Sequence, residues 1–106
     1  MTHMRKSFSK TSDLARAYAK HQLTEGKARE GRAFVEGDTI YSYGHHFPIA
    51  HRIRDNEYLF NDDSYSRTTS KQQSAVRSAL EEENAKIVET DTSGIKHGME
   101  HKEEYE

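Results

Sequence analysis

The spacing of apolar residues changes along the chain, and each change predicts a different element. Leu14, Ala17, Tyr18 and His21 recur at three- and four-residue intervals, which predicts a short helix with Ser12 as its N-cap and Asp13 at the positive end of its dipole. Gly26 is the expected stop, and the charged stretch Lys27 to Arg32 reads as a linker. From Arg32 the period shortens toward two and the punctuation becomes that of hairpins. Ala33-Phe34-Val35, Thr39 to Tyr43, Phe47 to Arg54 and Glu57 to Asn61 are predicted strands, divided by turns at Gly37-Asp38, Gly44 and Asp55-Asn56. In the third of them Phe47, Ile49, His51 and Ile53 are expected on one face and Ala50, Arg52 and Arg54 on the other. Pro48 cannot donate to a ladder, so that strand begins at an edge or a bulge. Asp62-Asp63-Ser64 forms a further turn before a short extended piece at Tyr65-Ser66.

The last predicted element is a helix. Ser70 and Gln73 have capping-box spacing, and Val76, Leu80 and Ile87, with Ala75 and Ala79, draw an apolar stripe to about Ala85 or Val88. The predicted fold is therefore α+β: a small antiparallel meander of three to four strands, flanked by an N-terminal helix and covered on one face by a C-terminal helix. A flexible basic arm is expected over residues 1 to 10, a single domain over 11 to 88 with its core at 32 to 88, and a disordered acidic tail over 89 to 106.

Composition narrows this picture. Apolar residues make up 32% of the 106, no more than the charged ones, so the core must be small and contribute only about 3 to 5 kcal/mol. A second copy of the chain could complete it across an open strand edge as a homodimer. Without cysteine there is neither a disulfide nor a thiolate metal site. No stretch nears the roughly 18 apolar residues of a spanning helix, and Met1-Thr2-His3-Met4-Arg5-Lys6 leads into no apolar run, so a cytoplasmic protein without membrane contact is expected. Charge is uneven: residues 1 to 80 carry 13 basic and 9 acidic side chains, residues 81 to 106 carry 3 and 9. A basic body with an acidic tail suits a polyanion partner, although charge runs also serve solubility alone.

The densest candidate chemistry lies in Tyr41-Ser42-Tyr43-Gly44-His45-His46-Phe47-Pro48-Ile49-Ala50. His45, His46 and His51 could ligate a metal with Asp62 or Asp63, provided that Gly44 bends the chain so that adjacent imidazoles converge. Hydrolysis would need His46 or His51 beside Ser42, Ser64 or Tyr65, but there is no nucleophile elbow, no phosphate-cradling glycine loop and no paired-histidine helix, and no cofactor is implied. A binding surface asks for less. Tyr41, Tyr43, His45, His46, Arg52, Arg54, Arg67 and Lys71 would offer guanidinium and ammonium groups to phosphates and rings to bases. Ser64 to Ser70 adds hydroxyls and amides ahead of a helix N-terminus. The competing reading is that the tyrosines finish the core and the arginines pair with Asp55, Glu57 or Asp62.

The run Tyr41 to Ala50, with Tyr65-Ser66-Arg67-Thr68-Thr69-Ser70-Lys71 and Ser74-Ala75-Val76, resembles a family of small uncharacterised proteins of bacteriophages and related mobile elements. The resemblance covers roughly Phe34 to Leu80. It implies an accessory protein acting in the bacterial cytoplasm by occluding a host macromolecule, and relatives often carry a histidine where Gln72 stands. Together these readings point to a non-enzymatic module whose ligand is nucleic acid. One alternative is an inhibitor of a host defence or transcription complex, anti-CRISPR-like, in which Glu81, Glu82, Glu83, Glu89 and Asp91 mimic a nucleic-acid backbone. Another is a metal-dependent enzyme built on the histidines.

Overall fold

The computed structural model describes residues 6 to 100 and corrects the expected sheet. Seven strands form one mixed sheet in sequence order: β1 (Lys6–Phe8), β2 (Glu25–Ala28), β3 (Phe34–Glu36), β4 (Thr39–Tyr41), β5 (Pro48–Arg54), β6 (Glu57–Asn61) and β7 (Lys86–Thr90). The expected small meander of three to four strands is not what forms, and the antiparallel run is only the middle of a larger mixed sheet. β2 to β6 are antiparallel neighbours, whereas β1 and β7 run parallel to β2 and β6 at the two edges. The added strands give no alternation to read, because the inward positions of β2 are only Gly26 and Ala28 and β7 keeps a largely exposed surface.

Each parallel pair is joined by a helix, α1 (Thr11–Ala19) between β1 and β2 and α2 (Arg67–Glu82) between β6 and β7. β1 and β6 point the same way, and both crossovers move in the same direction across the sheet. Such connections are right-handed, so both helices are placed on one face and pack side by side. Leu14, Tyr18, Val76 and Leu80 then meet Val35, Ile40, Ala50, Tyr58 and Phe60 in a common core. Each large side chain buried there is worth about 1.5 to 3 kcal/mol. A third helix, α3 (Thr92–Glu100), packs on β5, β6 and β7. Side chains alternate along a strand, so Leu59, between Tyr58 and Phe60, points to the other face and joins Ile53 and Ile95 in a second cluster under α3. Asp63 accepts the Thr92 amide at 2.8 Å and so anchors the start of α3. The segment expected as a disordered tail therefore begins as the end of a strand and a helix, with residues 101 to 106 outside the described range. Of the expected basic arm, residues 1 to 5 lie outside that range, and Lys6–Phe8 is a strand. The presumed linker at Lys27 to Arg32 holds the end of β2 and a 3-10 turn, Glu30–Arg32.

Helix boundaries also shift, for reasons visible in their caps. α2 starts at Arg67 because the Ser66 hydroxyl accepts the Thr69 amide at 3.1 Å, which leaves Ser70 inside the helix instead of at its cap. It stops at Glu82, Asn84 takes a left-handed φ of 56°, and Ile87 packs from β7 rather than from a helical stripe. α1 starts at Thr11 instead of after Ser12. Glu30 from the neighbouring turn accepts the Thr11 amide at 3.2 Å, and the Thr11 hydroxyl donates to the Glu30 carbonyl at 3.0 Å. The hairpin turn at Gly37, with φ 60°, and the bulge where Tyr41 faces Pro48 follow the sequence pattern.

Candidate nucleic-acid interface

The β4–β5 loop and the start of α2 interlock. Ser42, at the end of β4, places its hydroxyl 2.9 Å from that of Thr69 and donates to the Gln72 side-chain carbonyl at 2.5 Å. Gln72 Nε2 donates in turn to the Gly31 carbonyl at 2.8 Å and to that of Ser42 at 3.3 Å. Ser42, Thr69 and Gln72 are all buried, so each polar group needs its partner. Gly31 is required at this junction, since its φ is +69° and a Cβ there would stand 2.7 Å from Gln72 Nε2. Gln72 thus ties three segments together: the β2–β3 turn, the β4–β5 loop and α2.

This anchor holds a ring-bearing loop at the surface. Past Ser42 the chain turns at Gly44, φ +55°, and sends its two histidines to different neighbours. His46 stands edge-on to Tyr43 with centroids 4.9 Å apart, Tyr43 lies 5.7 Å from Tyr65, and Tyr65 lies 5.5 Å from Phe47. The Tyr43 hydroxyl donates to that of Tyr65, and this bond holds the Tyr43 phenol above its usual pKa. Tyr65 is 56% exposed, the largest opening of any bulky apolar residue among those described. Arg67 follows two residues later as the first residue of α2, with Lys71 one turn beyond on the same flank. Both are exposed, and among the described residues no carboxylate pairs with either.

The remaining expected contacts go elsewhere. Tyr41 is buried and stacks on Phe34 with centroids 4.8 Å apart and planes 16° from parallel; burial raises its phenol pKa. His45 lies edge-on to both rings and reaches Glu36 at 2.9 Å. Arg52 and Arg54 do not form the shared strand-face surface. Arg52 meets Asp38 at 3.4 Å and Asp55 at 3.9 Å beside Tyr58, whose phenol burial pushes up to about 12, while Arg54 meets Glu57 at 3.0 Å. A bulge between Arg52 and Arg54 further breaks the alternation on which the expectation rested. Of eight expected residues, Tyr43 and His46 meet, Arg67 and Lys71 lie one turn apart at the start of α2, Tyr41 and His45 pack on Phe34, and Arg52 and Arg54 are paired with carboxylates toward the β5–β6 turn.

The histidines do not converge on a metal site. His51 lies in the sheet with Nδ1 2.8 Å from the Thr39 hydroxyl, His45 and His46 face different rings, and Asp63 is engaged in holding α3. No group of three His, Cys, Asp or Glu side chains among the described residues could hold a metal ion. The acids proposed as a nucleic-acid mimic are largely engaged: Glu82 with Arg16, Glu83 with Lys20 and Glu89 with Arg77. Sequence reasoning left Tyr65 out of the contact set and treated Lys27, Arg29 and Arg32 as linker. The signal for Tyr65 was its place directly before a serine cap, which fixes a ring beside a helix start; the cations gave none. No helix among the described residues is long and apolar enough to cross a membrane. No family model matches this chain, and no curated protein or solved structure matches it significantly.

Proposed function

We propose that this protein is a non-enzymatic nucleic-acid-binding module whose contact surface is the N-terminal end of α2 and the loop beside it. The carrying observation is the cluster of Tyr43, His46 and exposed Tyr65 immediately ahead of α2, whose first residue is Arg67 and which carries Lys71 one turn on, two cations with no carboxylate partner among the described residues. Rings at a surface stack on unpaired bases of any sequence, and unpaired cations replace the counterions of the phosphates. Single strands are favoured over duplex. The solvent face of α2 that would lie in a major groove ends in Glu81 and Glu82, which would repel phosphates there. The resemblance to bacteriophage accessory proteins fits a role in the bacterial cytoplasm, where occlusion of a nucleic acid needs a surface and no catalytic centre. Three of the five acids of the mimic reading are tied to cations, which favours the cationic end as the working surface.

The test is a fluorescence-anisotropy titration of the protein into labelled single-stranded and duplex oligonucleotides across a range of salt. Salt-dependent binding that prefers the single strand, weakened roughly tenfold or more by Tyr65→Ala, is expected. Absence of binding to either at low salt removes the proposal.

A further inference from the structure

Among the described residues, three that are not glycine hold a left-handed φ: His21, Arg32 and Asn84. Two of them have a reason within the fold. Asn84 follows the end of α2, where asparagine takes this conformation readily, and His21 follows the end of α1 with its ring nitrogen 2.8 Å from the Tyr58 hydroxyl. Arg32, with φ 64°, comes directly after Gly31 in the β2–β3 turn. Its side chain is exposed and no described carboxylate pairs with its guanidinium. Glycine would take this turn more easily, so a cation is held here against the preference of the backbone and without an ion pair to offset it.

The turn that carries Arg32 joins two hollows. On the sheet face opposite α1 and α2, an open cavity of about 600 Å³ is lined by Lys27, Arg29, Arg32 and Phe34. Where the same turn meets α2, a second hollow of about 290 Å³ is lined by Gly31, Thr68 and Lys71, and Gln72 donates to the Gly31 carbonyl at 2.8 Å. Glu30 also borders it, with its carboxylate engaged at the start of α1 by the Thr11 amide. The rings continue across as well. His45, next in sequence to His46, lies edge-on to Phe34 with centroids 5.1 Å apart. Cations and rings therefore both lead from the start of α2 to the larger cavity.

Inside that cavity Lys27 faces Phe34 in register, and Tyr41 stacks on one side of the Phe34 ring, which leaves the side toward Lys27 open. Arg29 and Arg32 stand on the turn at the ends of the strands, and like Lys27 neither has a described carboxylate partner. Glu25 and Glu36 lie two residues farther along the strands, roughly 7 Å from the Lys27–Phe34 pair, and Glu36 is paired with His45.

We propose that a single strand bound at Tyr65 and Arg67 continues over this turn, with its sugar–phosphate backbone on Arg32, Arg29 and Lys27 and a base turned inward onto Phe34. The proposal rests on the reading of the start of α2 as a nucleic-acid surface and gives that surface a second half. Phosphate, sugar and base then run from the rim to the ring in the order of their covalent connection, and the two carboxylates lie beyond the base, away from the phosphates. Guanidinium groups match phosphate oxygens with paired N–H donors, and an aromatic ring stacks on any base. Single-strand grooves commonly take up about 4 to 16 nucleotides, so a short probe fills the first half alone and a longer one reaches the second.

Anisotropy titrations with a labelled thymidine tetranucleotide and dodecanucleotide test this. Arg32→Gly relieves the backbone, so the urea midpoint should stay level or rise, yet the dodecanucleotide should bind about fivefold more weakly with a salt slope lowered by about 0.7. Phe34→Leu should weaken the dodecanucleotide by about tenfold and Phe34→Tyr should keep its affinity. None of the three should change tetranucleotide binding by more than about twofold, whereas Tyr65→Ala should weaken both probes. If the dodecanucleotide binds and neither Arg32→Gly nor Phe34→Leu weakens it, the strand does not cross the turn, and the proposal is overturned with the surface at α2 intact. If neither probe binds the unaltered protein at low salt, the reading of the α2 surface fails and this extension fails with it.

Discussion

The two ends of α2 carry comparable numbers of cations and opposite electrostatics. The helix has 16 residues, about 24 Å, and α1 lies beside it in the same direction, with Thr11 near the start of α2 and Lys20 near its end. At the C-terminal end each cation meets an acid: Arg16 with Glu82, Lys20 with Glu83, Arg52 with Asp38, Arg54 and Lys86 with Glu57. At the N-terminal end Arg29, Arg32, Arg67 and Lys71 have no described acid partner, and the positive ends of two helix dipoles add to them. A count of basic residues thus says little about where a polyanion can land. The placement of the carboxylates decides it. Exposed ion pairs add little to stability, so the contrast bears mainly on binding.

Removing equal charge from the two ends is the strongest way to break this contrast. Arg67→Ala with Lys71→Ala should weaken single-stranded oligonucleotide binding by about two orders of magnitude and lower the salt slope by about 1.4. Lys20→Ala with Arg54→Ala should change affinity by less than about threefold, because those cations are already neutralised. Similar losses from both pairs, read by anisotropy at matched salt, would mean that general attraction and not a surface governs binding.

A smaller effect is expected at the anchor that holds the rings in place. Gln72→Leu takes from the Gly31 carbonyl its side-chain donor and from the Ser42 hydroxyl one of its two partners, and should cost roughly 2 kcal/mol, read as a lower urea midpoint. Gln72→His should lose less, since imidazole offers one donor and one acceptor to the same pair. If Gln72→Leu is neutral, the buried network does not hold the loop.

The smallest effect separates α3 from the rest. Asp63 is held below the usual carboxylate pKa, chiefly by the Thr92 amide, so its contribution is present above the unfolded-state value and is lost as pH falls through the lowered folded value. Amide exchange in α3 should therefore speed up on acidification relative to exchange in α2, once corrected for intrinsic rates, and Asp63→Asn should abolish most of that pH dependence. Parallel loss of protection in both helices would show that Asp63 does not act locally.

How much of this was legible in the sequence depended on which signal each residue carries. The central strands could be read because Val35, Ile40, Ile49 and Tyr58 sit between turn residues that only hairpins use, and α2 because Val76, Ala79 and Leu80 keep helical spacing. β1, β2 and β7 could not, because their partners are distant in sequence and their inward positions are small or few. The doubly covered sheet also hid its own alternation: β5 is buried at four consecutive positions, Pro48 to His51, and Arg52 after them is half-buried. For the interface, residue type was informative and pairing was not. Arg52 and Arg67 look alike in a sequence, and only the fold brings Asp38 to one and leaves the other without an acid.

The central claim is that nucleic acid meets the N-terminal end of α2. Backbone amide shifts of labelled protein, followed during titration with a short single-stranded oligonucleotide, test it most directly. Saturable shifts should concentrate at residues 42 to 46 and 64 to 72, with residues 52 to 57 and 81 to 89 unmoved. Shifts centred on the latter segments, or spread evenly over both ends, would contradict the account.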